Sequence, residues 1–184
     1  ENSNGWWNSI EVNDLNNDGL LDLVIGNHGE NSRFRATKSK PISMYINDFD
    51  DNNSLEQVIF QYNGDSSYTM ALRHDLVMQM PGLKKKYLKY NSYKNQTVHD
   101  IFNLEKIKSS YINYVYNLKT SAFINNGSSF SNLELPVETQ FSNVFAIEIN
   151  DYNNDGYNDI ILGGNLYNVK PEVGRYDANY GQIL

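Results

Sequence analysis

The feature that most constrains this chain is an internal repeat. The string Ile10-Glu11-Val12-Asn13-Asp14-Leu15-Asn16-Asn17-Asp18-Gly19 returns as Ile147-Glu148-Ile149-Asn150-Asp151-Tyr152-Asn153-Asn154-Asp155-Gly156. Extended to Gly26 and Gly163, the two copies agree at ten of 17 positions. The core positions that differ exchange one apolar residue for another, as in Leu23-Val24-Ile25 against Ile160-Ile161-Leu162. A degenerate copy lies between them: Tyr45-Ile46-Asn47-Asp48-Phe49-Asp50-Asp51-Asn52-Asn53-Ser54-Leu55-Glu56, followed by Val58-Ile59-Phe60. Self-similarity of this kind marks a structural unit used more than once. Each copy reads as strand, polar loop, strand, with short β-branched flanks and glycine exits.

The polar loop carries the chemistry. Counting from its first acid, the first copy places Asp14, Asn16, Asp18 and Asp22 at positions 1, 3, 5 and 9, with Gly19 at position 6. The last copy repeats this with Asp151, Asn153, Asp155, Gly156 and Asp159, and the central copy offers Asp48, Asp50, Asn52 and Glu56 with Asn53 in the glycine slot. Alternate oxygen-bearing side chains in a tight loop converge on one point. A hard divalent cation takes six to eight oxygens at about 2.3–2.6 Å, which the side chains supply together with a position-7 backbone carbonyl. That carbonyl belongs to Leu20, Ser54 and Tyr157. Calcium suits such a flexible cage better than magnesium, which keeps its waters. The spacing therefore predicts two to three calcium ions, the central loop being the less regular because Asn53 must take a backbone that glycine adopts more readily.

An EF-hand would need a bidentate Glu at position 12 and a helix on each side. Position 12 is Ile25, Ile59 and Leu162, each inside a β-type apolar run. The acid at position 9 is expected to close the cage instead, between strands.

Elsewhere, Ser121-Ala122-Phe123-Ile124-Asn125-Asn126-Gly127-Ser128-Ser129-Phe130 reads as a hairpin turning at Asn126-Gly127. Across 70–108 the pattern changes: Leu72, Leu76 and Met80, then Leu83, Tyr87 and Tyr90, fall at helical spacing, with Pro81-Gly82 between. Thr97 with Asp100 three residues on has the form of a helix N-cap. The resulting division is 1–69 with two acidic loops, 70–110 as a helical insertion and 111–184 with the third loop.

Composition excludes several classes. Fifteen basic against 22 acidic residues leave a net charge of −7, which argues against a phosphate-tracking nucleic-acid surface. The absence of cysteine removes disulfides, thiolate zinc sites and thiol nucleophiles. No segment approaches the ~20 apolar residues of a membrane span, and the opening Glu1-Asn2-Ser3-Asn4-Gly5 has neither the basic flank nor the apolar core of a signal peptide. No GxSxG, HExxH or GxxxxGK[ST] string occurs. The one compact ionisable trio, Arg73-His74-Asp75, reads as a capping or salt-bridge cluster, because sequence neighbours on a helix do not face each other.

The strand–DxNxDGxxD–strand–Gly arrangement at 14–26 and 151–164 resembles the FG-GAP/VCBS repeat, the blade unit of integrin-α-like β-propellers. Gly5-Trp6-Trp7-Asn8, the NHGENSR run at 27–33, Pro81-Gly82-Leu83-Lys84-Lys85-Lys86-Tyr87 and Gly174-Arg175-Tyr176-Asp177-Ala178 are similar to stretches of large Bacteroidetes-type surface proteins that carry such repeats. The resemblance implies a mainly β, partial propeller-like array of blades with a helical insertion, calcium in each blade loop and an exported, cell-surface setting. A closed propeller needs at least four blades, so the chain is expected to be a segment with further repeats of the same polypeptide as neighbours. The expected function is a non-enzymatic calcium-binding surface module for adhesion or ligand binding, its partner a protein or carbohydrate. The alternative is a carbohydrate-binding or accessory region of an extracellular polysaccharide-processing enzyme.

Overall fold

Each copy of the repeat folds as a β-hairpin whose turn is the acidic loop. The computed structural model describes residues 3–184. In chain order these form β1 (Ser9–Asn13), β2 (Asp22–Gly26), β3 (Ile42–Asn47), β4 (Glu56–Asn63) and β5 (Ser66–Thr69). Five helices follow: α1 (Arg73–Gln79), α2 (Leu83–Lys86), α3 (Tyr90–Tyr93), α4 (Val98–Ile101) and α5 (Leu104–Ser109). Then come β6 (Tyr111–Val115), β7 (Ser121–Asn125), β8 (Phe130–Leu133), β9 (Ala146–Asn150), β10 (Asp159–Gly163) and β11 (Gln182–Ile183). The architecture is mainly β. Its three antiparallel sheets, ordered β1-β2-β7-β8, β11-β10-β9 and β5-β4-β3-β6, are all open, and no closed barrel or propeller occurs among the described residues. No described helix is long and apolar enough to cross a membrane.

Contacts divide the chain into two compact units. A split unit joins Gly5–Arg33 to Asn117–Leu184, and an inserted unit holds Phe34–Tyr116 with Ser3 and Asn4. The linear division at 69 and 110 follows changes in composition, whereas these units follow contacts: the first and last copies share one unit and the central copy sits with the helices.

In the split unit, alternation along the strands turns Val24, Ala122, Ile149, Ile160 and Leu162 inward to a core that Val144 completes. Gly26 closes β2 because the space for a side chain is taken: a Cβ there would lie 2.4 Å from Ser9 Oγ and 2.5 Å from the Val144 carbonyl oxygen. The edge strands β1 and β9 run side by side without forming a ladder, linked by Asn13 Nδ2 to the Ile149 carbonyl at 3.2 Å. The Asn126-Gly127 turn joins β7 to β8, with Gly127 at φ +82°.

In the inserted unit, the helices cover one face of the sheet. Phe49, Val58 and Phe60 meet Leu76, Met80, Tyr87, Tyr93, Ile101, Phe102 and Ile107 in one core. Phe49 and Phe102 stack with centroids 3.8 Å apart. The helical stretch breaks into pieces of four to seven residues. Pro81-Gly82 ends the first, and Asn95 at φ +62° interrupts the run between α3 and α4. The Thr97 cap forms: the Asp100 carboxylate accepts the Thr97 N–H at 2.9 Å and its hydroxyl at 2.7 Å. These bonds favour the ionised carboxylate and hold its pKa below the usual range. Lys86 Nζ donates to the carbonyls of Asp100 and Ile101 and so ties α2 to α4.

Candidate metal centre

The strand register fixes where each acidic loop begins and ends. Asn13 pairs with Asp22, Asn47 with Glu56 and Asn150 with Asp159. In all three hairpins the position-9 acid therefore stands opposite the asparagine that precedes position 1. The chain reverses inside by placing two residues in the left-handed region. Position 4 is Asn17, Asp51 and Asn154, at φ between 59° and 61°; position 6 is Gly19, Asn53 and Gly156, at φ 86°, 65° and 88°. Asn and Asp tolerate this region better than other side-chain-bearing residues. Asn53 thus adopts the bend that glycine makes in the other copies, and the central loop keeps the form of the outer ones.

The same hydrogen bonds recur in each loop. The position-1 carboxylate accepts two backbone N–H groups: Asp14 from Asp18 (3.2 Å) and Gly19 (2.8 Å), Asp48 from Asn52 (3.0 Å) and Asn53 (2.9 Å), Asp151 from Asp155 (3.1 Å) and Gly156 (2.9 Å). The position-9 carboxylate accepts the N–H of position 2: Asp22 from Leu15 (2.8 Å), Glu56 from Phe49 (2.8 Å) and Asp159 from Tyr152 (3.0 Å). The acid at position 9 thus closes each loop. A further contributor escaped the reading of the sequence. The asparagine before position 1 accepts the position-1 N–H through its own Oδ1, at 2.9, 2.9 and 3.0 Å for Asn13, Asn47 and Asn150. Its signal was present, since an asparagine precedes the first acid in every copy.

A carboxylate offers about four acceptor sites, so these backbone bonds orient the acids and leave lone pairs on them. Asn16, Asp18 and Leu20, Asp50, Asn52 and Ser54, and Asn153, Asp155 and Tyr157 occupy positions 3, 5 and 7, all exposed. In the central loop, carboxylate oxygens of Asp48, Asp50 and Glu56 lie within 4.8 Å of one another. The outer loops exchange the two middle donors, with Asn at position 3 and Asp at position 5. Every side-chain donor is oxygen, the chemistry of a hard cation rather than of zinc or copper.

The surroundings differ between loops. Asp22 is fully buried, and its second oxygen accepts the N–H of Asn125 at 2.7 Å, so this acid pins the end of β7 as well as its own loop. At the central loop, Lys106 from α5 reaches Asp51 Oδ1 at 2.5 Å and also donates to the Asp48 carbonyl. The Asp51 hydrogen bond holds the Lys106 pKa above its ordinary value. The two outer loops touch: Asn17 Nδ2 donates to the Gly156 carbonyl and Asn158 Nδ2 to the Asp14 carbonyl, each at 2.7 Å.

The Arg73-His74-Asp75 trio performs structural work. Arg73 Nε donates to the Tyr87 carbonyl at 2.5 Å, tying α1 to the end of α2, while His74 and Asp75 approach to 3.4 Å. His28 is buried between the edges of Trp6 and Tyr176, and burial lowers its pKa to about 4. Comparison with protein-family models, curated proteins and solved structures returned no match.

Proposed function

We propose that this chain is a non-enzymatic, calcium-binding repeat module of an exported cell-surface protein, used for adhesion or ligand binding. The observation that carries this reading is the recurrence of one hydrogen-bonded loop scaffold in three places, with oxygen donors at the same positions each time. Asp14, Asn16, Asp18, the Leu20 carbonyl and Asp22 would hold one ion. Asp48, Asp50, Asn52, the Ser54 carbonyl and Glu56 would hold a second, and Asp151, Asn153, Asp155, the Tyr157 carbonyl and Asp159 a third. When bound, the ion supplies two positive charges to a loop carrying three ligand acids and fixes the turn between its strands. A structural role follows from the loop's own abundance of oxygens.

The hairpins read as blades of FG-GAP/VCBS type. Two observations favour this: a four-stranded sheet in simple β1-β2-β7-β8 order, and the lateral approach of β1 and β9, the first strands of two copies. Further repeats of the same polypeptide would then be neighbours. Nucleic acid is an unsuitable partner for a chain of net charge −7. The carbohydrate-binding alternative has one observation of its own. On β6, Tyr114 is exposed and stacks on Tyr116 with centroids 6.0 Å apart, a surface suited to the apolar face of a sugar ring.

Thermal melting with and without calcium tests the proposal. An ion that binds the folded state alone stabilises it by about 1.4 kcal/mol per site at ten-fold excess over Kd. EDTA should lower the melting temperature, and Asp18→Ala and Asp155→Ala should each abolish part of the calcium-dependent gain. Asp65→Ala, outside the loops, should leave it intact. Melting that ignores calcium would make these loops ordinary turns.

A further inference from the structure

We infer that the two outer loops take up calcium as a coupled pair, with Asn17 and Asn158 as the coupling residues. This rests on the calcium function proposed above and concerns how these two sites influence each other.

The coupling is built from reciprocal side-chain bonds. Asn158, at position 8 of the last loop and next to Asp159, donates to the carbonyl of Asp14, the first acid of the other loop, at 2.7 Å. Asn17, at position 4 of the first loop and next to Asp18, donates to the carbonyl of Gly156 at 2.7 Å. Gly156 lies between Asp155 and Tyr157, two proposed ligand residues. Asn13 adds a third link, to the carbonyl of Ile149 at 3.2 Å, just before the last loop begins. Each loop thus contributes the donor that fixes the other's backbone beside its oxygen ligands.

An ion that orders one loop therefore orders the donor that positions the other. The second ion meets a site already held in place, and part of its ordering cost has been removed. Electrostatics acts in the opposite direction. Filling one loop changes its three ligand acids from −3 to −1 in formal charge and weakens the pull on the second ion. That effect is screened over about 8 Å at physiological salt, whereas the ordering through Asn17 and Asn158 is not. Cooperativity should therefore be positive at physiological salt and rise as salt is added.

The central loop supplies an internal comparison. It carries Asp51 at position 4 and Leu55 at position 8, and Asp51 is paired with Lys106. It lacks both coupling asparagines, so it fills independently.

The test is a calcium titration followed by calorimetry or equilibrium dialysis on Asp48→Ala, which leaves the two outer sites. Two ions with a Hill coefficient between 1 and 2 are expected, because two sites cap the value at 2. Asn158→Ala, and separately Asn17→Gly, should bring the coefficient to about 1; glycine keeps the positive φ of position 17 while removing its side chain. The decisive arm silences one loop. With the last loop disabled by Asp155→Ala, Asn158→Ala should leave the remaining first-loop site within about two-fold, because no second ion orders the donor. In the two-site chain it should weaken binding of the second ion about five-fold, at the low end of typical coupling. With the first loop disabled by Asp18→Ala, Asn17→Gly should likewise leave the last-loop site within about two-fold. The two arms are independent, so loss of folding in one variant leaves the other to decide. A chain that binds two ions with unit Hill coefficient, or whose Hill coefficient ignores Asn158→Ala and Asn17→Gly, or in which those substitutions weaken a lone site as much as a paired one, overturns this inference alone. A chain that takes up no calcium overturns the proposed function and the inference with it.

Discussion

Replacing the position-9 acid should have unequal effects in the two outer loops, although the motif is the same. Asp22 is fully buried and accepts backbone N–H groups from both Leu15 and Asn125. Asp22→Ala removes the acceptor of both donors at a fully buried position. An unsatisfied buried donor costs about 1–3 kcal/mol, so the substitution should destabilise by about 2–5 kcal/mol. Asp159 is half-buried and accepts one N–H, from Tyr152, itself 45% exposed. Water can replace that bond, and Asp159→Ala should cost only about 0.5–1.5 kcal/mol. At about 2–4 °C per kcal/mol for a chain of this size, the melting temperature should fall far more for Asp22→Ala. The comparison belongs in EDTA, where metal ligation contributes nothing to either value. Asp22→Asn, which keeps one oxygen acceptor, should fall between wild type and Asp22→Ala. Equal losses from Asp22→Ala and Asp159→Ala would refute the reasoning that burial and the Asn125 bond set the difference.

Three further outcomes follow from the packing. His28 has its folded pKa lowered by burial to about 4 against about 6.5 unfolded, so its contribution is complete above pH 6.5 and is lost as pH falls toward 4, by about 3 kcal/mol in all. Urea melts in EDTA should show the advantage of wild type over His28→Gln shrinking by about 2 kcal/mol between pH 7 and pH 5; parallel profiles would contradict the assignment. Phe49→Ala removes a core ring stacked on Phe102 and should cost about 3–5 kcal/mol, with protection from hydrogen exchange lost first in α4 and α5; unchanged exchange there would count against the packing described. Gly26→Ala brings a Cβ against the Val144 carbonyl and should cost about 1–3 kcal/mol by overpacking, measured by chemical denaturation; a neutral result would mean the backbone there yields freely.

What was legible in the sequence was local. Loop positions 1, 3, 5, 6 and 9, the flanking strands, the Asn126-Gly127 hairpin and the Thr97–Asp100 cap each depend on residues within a few positions of one another. What was not legible was set by distant contacts. Nothing near Asp22 in the chain announces that Asn125 will complete its hydrogen bonding, or that the first and last loops will meet through Asn17 and Asn158. Periodicity across 70–108 reports which residues are apolar, not where the axis turns, so the breaks between the short helices are not written in it. Tyr90 matches the period, yet its side chain is exposed beneath Arg73 rather than buried. Asn53 takes the position-6 bend at φ 65° without a glycine, and the loop also bends at position 4, where each copy carries Asn or Asp.

Counting bound ions tests most directly whether these loops hold calcium. Equilibrium dialysis of the chelator-stripped chain against calcium should find two to three ions per chain, at the Kd of about 10⁻⁴–10⁻³ M typical of extracellular modules. Asp18→Ala and Asp155→Ala should each remove one. No bound calcium at millimolar concentration, or a stoichiometry that survives both substitutions, would contradict the account.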